Sequence, residues 1–226
     1  PAVANVDQAV VIFALSYPKP NLNLLDRFWL SMEQQEIPTI ICFNKSDDCP
    51  PKEAAALAAN YEKSGITVFI TSTKTGDGIA DFRKALSGKT TVFAGPSGVG
   101  KSSVMNTLFP EAKMETGEIS EKLGRGKHTT RQVQLYPCAG GYLADTPGFS
   151  TFEVEQYLQM DKDCIADCFP EFRPYLGQCR FSDCAHVCEK GCAVVEAVRA
   201  GKIAKSRHDA YVSLYQTAKQ RKAWES

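Results

Sequence analysis

The hydrophobic positions along this chain change period in a regular order. Residues 9–15, AVVIFAL, are continuously apolar, as expected of a strand covered on both faces in a parallel sheet. After the turn-like YPKPN segment, Leu24, Leu25, Phe28, Trp29 and Met32 recur at helical spacing, and Thr39 to Phe43, following Pro38, reads as a second strand. A helix through Ala54, Leu57, Ala58 and Tyr61 ends at Gly65. A strand from Ile66 to Thr71 and a helix through Ile79, Phe82 and Leu86, stopping at Gly88, come next. The apolar lead-in Thr91, Val92, Phe93 then runs into a glycine-rich turn, and Val104, Met105 and Leu108 give the next helix. Alternating strands and helices predict an α/β fold, a parallel sheet with helices on both faces. A polar stretch, Glu111 to Arg131, breaks the pattern. Gln132 to Tyr136 and Tyr142 to Ala144, joined by Ala-Gly-Gly, then predict an antiparallel pair.

From about Phe152 the character changes. Cys164, Cys168, Cys179, Cys184, Cys188 and Cys192 crowd into one span, followed by helical patterns through Val194, Val195, Val198 and through Tyr211, Leu214, Tyr215, Ala218. These shifts predict two domains, residues 1–152 and a small helical metal-binding domain over 153–226. Lys plus Arg equals Asp plus Glu at 26 each, so any nucleic-acid contact must be local. Nine cysteines, with no apolar leader ahead of them, suggest reduced thiols or a metal site in a cytoplasmic protein. The longest apolar run is too short to span a bilayer. The sequence enters a core strand almost at once, as a trimmed fragment would.

The chemistry centres on residues 95–102, GPSGVGKS, which fit G-x-x-x-x-G-K-[ST] without mismatch. Between a strand and a helix, Gly95, Pro96, Ser97, Gly98, Val99 and Gly100 present backbone N–H groups to one anionic centre at the positive end of the helix. Lys101 is placed for the β and γ phosphates and Ser102 for Mg²⁺, with Ser103 beside it. This P-loop implies a nucleoside triphosphate without naming the base, and a nucleotide kinase would carry a similar loop. Asn44-Lys45-Ser-Asp47 chooses guanine: the Asp47 carboxylate can accept from N1–H and the 2-amino group, a donor pair adenine lacks. Asn44 can reach the other edge and the Lys45 stem can cover the ring. The motif's place at the C-terminal end of a strand suits an open α/β sheet, and Ser72-Thr73-Lys74 has the same placement.

Asp145-Thr-Pro-Gly148 is the expected γ-phosphate sensor, Asp145 toward Mg²⁺ through water and Gly148 by its N–H. Of Thr129 and Thr130, the second is favoured as a further Mg²⁺ ligand. Ras-like enzymes orient the attacking water with a Gln after this motif, where this chain has Phe149. Slow hydrolysis is therefore expected without a partner, and His128 is the candidate to orient or activate water, the alternative being a solvated switch residue. All these guanine-nucleotide elements occur in permuted order, with the base-reading loops ahead of the P-loop. Loops that meet in space allow such reconnection.

Cys179-x₄-Cys184-x-His186-x₅-Cys192 offers four ligands suited to one closed, structural zinc site. Cys188 could replace one of them, and Cys164-x₃-Cys168 is a rival pair. Cys42, Cys49 and Cys138 read as ordinary thiols.

The permuted order, with GPSGVGKSS, GRGKHTTR and DTPGFS, resembles the circularly permuted GTPases of the RsgA (YjeQ, YloQ) family over essentially the whole chain. The resemblance implies a P-loop GTPase fold, GTP and GDP as ligands with Mg²⁺, a zinc module, His128 in catalysis, and a role in maturation of the small ribosomal subunit (30S) in contact with its rRNA. It also implies an N-terminal OB-fold RNA-binding domain, for which the residues ahead of Val6 leave no room. It raises potassium activation too, which Gly98, standing where related enzymes have Asn, argues against. The protein is expected to act as a monomer.

Between Arg199 and Ser226, Arg199, Lys202, Lys205, Arg207, Lys219, Arg221 and Lys222 give a formal excess of five positive charges, interleaved with Tyr211, Tyr215 and Trp224. This composition suits RNA, with cations on phosphates and rings on bases, although a solvated amphipathic helix has it too. The expected function is thus a GTPase stimulated by the small subunit. The alternative is a zinc-supported RNA-binding module in which the nucleotide is only a structural ligand.

Overall fold

The computed structural model describes residues 5–110, 134–138, 140–145 and 162–222. Six strands form one sheet: β1 (Gln8–Ala14), β2 (Thr39–Asn44), β3 (Thr67–Ile70), β4 (Thr90–Ala94), β5 (Gln134–Cys138) and β6 (Gly141–Asp145). Their order is β3-β2-β1-β4-β6-β5, parallel except for β5, which runs antiparallel to β6 as the turn between them requires. Helices α1 (Leu22–Glu33), α2 (Pro51–Glu62) and α3 (Ile79–Leu86) connect the parallel strands in turn, and α4 (Lys101–Leu108) follows β4. Helices α5 (Ala193–Arg199) and α6 (Lys205–Lys222) follow the cysteine-rich segment.

Every residue of β1 is buried. Because side chains alternate across a strand, Val11 and Phe13 enter one core while Val10 and Ile12 enter another. The second core lies under α3 and α4, with Phe82, Leu86, Val104 and Leu108 packed on Phe93 and Ile40. The first lies under α1 and continues without a break into the C-terminal segment, joining Leu25, Phe28 and Trp29 to Phe169, Phe172, Val194 and Tyr211. The expected domain boundary near residue 152 falls outside the described residues. Among the described residues no helix is long and apolar enough to cross a membrane.

At the middle of that shared core lies Arg207, 1 % exposed. Its guanidinium donates to Asp26 Oδ1 of α1 at 2.5 Å and to Glu171 Oε1 at 2.6 Å. It also lies over the rings of Phe169 at 4.8 Å and Trp29 at 4.9 Å. Two carboxylates thus share one cation out of water. Burial raises Asp26 to about 6 despite the opposing pull of Arg207. This corrects the reading of the basic C-terminal helix. Arg207 and Tyr211, both 1 % exposed, are interior residues that cannot meet RNA, and the solvent-facing positive charge of that helix is smaller than its sequence suggests.

Candidate functional site

Going from β1 the chain winds to β2 and β3, and from β4 it winds to the opposite side, so the carboxyl ends of the adjacent strands β1 and β4 flank a topological switch point. Ligands of open α/β sheets bind at such a crevice. The P-loop leaves β4 there. Gly95 is the tightest position: its φ is +143°, and a Cβ on it would stand 2.2 Å from the carbonyl oxygen of Ile12 in β1. Only glycine lets the loop cross the neighbouring strand so closely. Lys101, the first residue of α4, turns back over the loop and donates from Nζ to the carbonyls of Gly95 at 2.7 Å and Pro96 at 2.8 Å. The ammonium therefore sits among loop oxygens, ready to exchange them for the oxygens of a phosphate.

The Asn44 to Asp47 loop leaves the end of β2 and docks onto the P-loop. Asn44, 1 % exposed, donates from Nδ2 to the Val99 carbonyl at 3.1 Å, and its Oδ1 accepts from the Thr71 hydroxyl at 3.4 Å. Its amide thus ties three loops together. A Cβ at Gly100 would come within 2.5 Å of that amide nitrogen, so this glycine also makes room for the junction. Lys45, with φ of 63°, stretches its Nζ to the carbonyls of Tyr17 at 2.6 Å and Gly98 at 2.8 Å. Its stem bridges from β2 to the P-loop.

Asp47 is held from the next loop. The Ser72 hydroxyl donates to its Oδ1 at 2.6 Å, and Lys74 Nζ stands 3.4 Å from Oδ2. The Ser72 hydrogen bond, helped by Lys74, keeps the carboxyl below its ordinary range, so it is an ionised acceptor at neutral pH. Ser72 Oγ in turn accepts from the backbone N–H groups of Lys74 at 3.2 Å and Thr75 at 3.1 Å, which fixes the Ser72-Thr73-Lys74 turn. Ser102 and Ser103 open α4 beside Lys101. Asp145 ends β6, its backbone in register with Phe93 of β4. His128, Thr129, Thr130, Gly148 and Phe149 lie outside the described residues. Cys42 is a buried thiol, pushed up to about 12 by burial, as a structural cysteine would be.

The second constellation gathers Cys179, Cys184, His186 and Cys192, whose ligand atoms all lie within 4.8 Å of one another. Cys179 Sγ is 3.8 Å from Cys192 Sγ, and His186 Nδ1 is 3.4 Å and 3.5 Å from the same two sulfurs. A tetrahedron with Zn–S near 2.3 Å and Zn–N near 2.0–2.1 Å has edges of about 3.8 Å and 3.5 Å, so this donor set fits one zinc ion. Cys164 and Cys188 are exposed and stand outside the cluster.

The surroundings of the cluster had no signal in the sequence. Glu189 accepts backbone N–H bonds from Ala185 at 3.2 Å, Val187 at 2.8 Å and Cys188 at 3.0 Å. Burial works to raise its carboxyl, and these N–H groups outweigh it. From α6, His208 Nε2 donates to the His186 carbonyl at 2.8 Å and the Tyr211 hydroxyl to the Ala185 carbonyl at 2.7 Å. Such outer contacts orient metal ligands.

A P-loop at the switch point, a permuted strand order and the Asn44 to Asp47 loop docked on the P-loop define a circularly permuted P-loop GTPase fold, followed here by a Cys₃His cluster. The profile described as RsgA GTPase matches residues 1–155. A small ribosomal subunit biogenesis GTPase RsgA from Agathobacter rectalis is 49 % identical over 99 % of this chain and 74 % of its own length. One from Geobacillus kaustophilus is 45 % identical over 98 % of this chain and 76 % of its own. Among solved structures, YjeQ from Thermotoga maritima superposes with a TM-score of 0.77 at 35 % identity, covering 96 % of this chain and 72 % of that one. YloQ, a circularly permuted GTPase, gives 0.76 at 37 % identity, covering 96 % and 69 %. The chain belongs to the RsgA GTPase family.

Proposed function

We propose that this protein hydrolyses GTP to GDP and phosphate in the biogenesis of the small ribosomal subunit, the role named for its relatives. The observation that carries the nucleotide assignment is the ionised Asp47, held by Ser72 and Lys74 in a loop that Asn44 and Lys45 tie to the P-loop. A carboxylate fixed there accepts from both guanine donors and leaves adenine unmatched. On binding, the phosphates take the backbone N–H groups of Gly95 to Ser102, and Lys101 exchanges its loop carbonyls for β- and γ-phosphate oxygens. Ser102, Thr130 and Asp145 would hold Mg²⁺, which neutralises charge on the transferring phosphoryl group. His128 orients the attacking water, Gly148 senses the γ-phosphate, and the missing Gln at Phe149 leaves the isolated chain slow.

Cys179, Cys184, His186 and Cys192 would hold one structural zinc, with every position filled by protein and none open for chemistry. Reduced thiols of this kind suit the cytoplasm. We place the GTPase unit at 1–152 and the zinc-binding helical unit at 153–226, the latter facing the ribosome.

Single-turnover hydrolysis of GTP with and without purified small subunits tests this reading. Slow turnover that rises several-fold with subunits is expected. Equal rates in both conditions would overturn the subunit-stimulated mechanism in favour of an RNA-binding module with nucleotide as a structural ligand.

A further inference from the structure

On the outer loop between the first two cysteines of the cluster, Phe181 is 49 % exposed, one of few large apolar side chains left in solvent among the described residues. It is not alone there. The guanidinium of Arg180 lies over its ring, 5.5 Å from the centroid. The Arg180 stem is held from below. Its backbone N–H donates to the Gly191 carbonyl at 2.9 Å, and a Cβ on Gly191 would come within 3.0 Å of Arg180 Cβ and 3.5 Å of its Cδ. Gly191, with φ of 76°, thus leaves a bare floor on which the arginine stem rests. The same backbone pairing brings Lys190, also exposed, to this end of the loop. Of the nearby acids, Glu189 is committed to the backbone N–H groups of the loop, which leaves Asp183 as the one exposed carboxylate between Arg180 and Lys190 in sequence.

We infer that Arg180 and Phe181 form a stacking platform for an unpaired RNA base, with Arg180 and Lys190 meeting the adjoining phosphates. A guanidinium plane on an aromatic face offers an outer π-like surface to a base while keeping its N–H edge for phosphate oxygens. Arginine and aromatic side chains anchor protein partners too, but there within a desolvated, largely apolar centre. This loop instead presents a planar cation and a ring with Lys190 beside them in solvent, which suits a polyanion carrying flat bases. The two cysteine ligands that bracket the platform, Cys179 and Cys184, fix its base, so little ordering remains for binding to require. The inference deepens the ribosomal reading above and rests on it for the identity of the RNA.

The test measures affinity of the zinc-loaded full chain for unstructured RNA oligomers by fluorescence anisotropy, and for purified small subunits by sedimentation. Phe181→Ala should weaken both by roughly 5- to 150-fold, the range for loss of one stacked base. Phe181→Trp should retain wild-type affinity. Arg180→Lys, which keeps charge but not the plane, should lose affinity while leaving the salt dependence unchanged, and Arg180→Ala should also lower the salt slope by about one. Zinc content and basal GTP hydrolysis should not change in any of these. Unchanged affinity of Phe181→Ala for RNA overturns the inference, as does a loss confined to subunits, which would indicate a ribosomal protein. Wild-type binding of RNA oligomers without binding of subunits would refute the ribosomal reading and leave the platform standing, and failure of the wild type to bind either would overturn both.

Discussion

Replacing Arg207 by Met would leave an unbranched apolar stem beside Trp29, Tyr61 and Phe169 while removing the guanidinium. The two carboxylates it serves, Asp26 and Glu171, would then be buried with no cation. Removing one side of a buried ion pair costs about 3–5 kcal/mol, because the surviving charge keeps its desolvation penalty. In a chain of this size that corresponds to a fall of roughly 6–20 °C in Tm. Urea denaturation followed by fluorescence, together with differential scanning calorimetry, would measure it. The deficit should depend on pH in a defined direction. Orphaned carboxylates have folded pKa values above their unfolded ones, so protonation favours the fold, and the deficit should shrink as the pH falls from 7 toward 4. A companion variant carrying Arg207→Met, Asp26→Leu and Glu171→Met should recover most of the loss, since an apolar replacement of the whole group removes the charges along with the partner. A loss below about 1 kcal/mol, a deficit that ignores pH, or a triple variant no more stable than the single would refute the reasoning.

Four further outcomes are expected. In the wild type, Asp26 is raised from 3.8 to about 6 by burial, so its contribution to stability is fully present below pH 3.8 and is lost as the pH rises through 6. Asp26→Asn should flatten the stability profile across that window by on the order of 3 kcal/mol, and a profile identical to wild type would count against the buried acid. Gly95→Ala forces a Cβ to 2.2 Å from a backbone oxygen, so it should lower stability by about 1–3 kcal/mol and abolish nucleotide binding, both readable in one thermal-shift titration. Asp47→Asn exchanges an acceptor pair for a donor and an acceptor, so affinity for GTP should fall roughly 10²-fold or more while that for the xanthine nucleotide rises, as competition with a fluorescent nucleotide would reveal. Finally, elemental analysis should return one zinc per chain, and Cys179→Ser or strong chelation should lower the unfolding midpoint. A midpoint indifferent to chelator would rule out a structural metal.

Much of the site could be read from the chain because its signals are local. The P-loop, the Asn44 to Asp47 loop and the Cys179 to Cys192 ligands are short patterns whose chemistry depends on neighbours a few residues away. The succession of strands and helices followed from alternation of apolar runs and helical spacing, and the edges moved only slightly, with β3 at Thr67–Ile70 inside the predicted Ile66 to Thr71. What remained hidden was non-local. Arg207 has the appearance of a surface cation in a basic helix, and its partner Asp26 lies 181 residues away. One clue was present: Asp26 sits on the apolar face of α1, between Leu25 and Trp29, where a solvated acid has no place. Asn44 spends one amide N–H on Val99 and one oxygen lone pair on Thr71, a pairing that only the packed loops reveal. The spacing alone left Cys188 able to replace one of the four ligands. The positive φ of 56° at His186 turns the chain so that its ring joins the sulfurs while Cys188 faces out.

The core that α6 shares with α1 has a consequence for how the chain is made. Synthesis delivers the strands β1 to β4 and the helices around them well before α6, the helix that carries Arg207 and Tyr211. Until then the core around Leu25, Phe28 and Trp29 lacks Tyr211, and Asp26 lacks Arg207. Vectorial folding can therefore produce a nucleotide-binding sheet early but cannot finish it, and the intermediate carries an apolar face with a lone acid at its centre. A ribosome stalled before residue 207 would hold such a species, and long-range docking of α6 would close it.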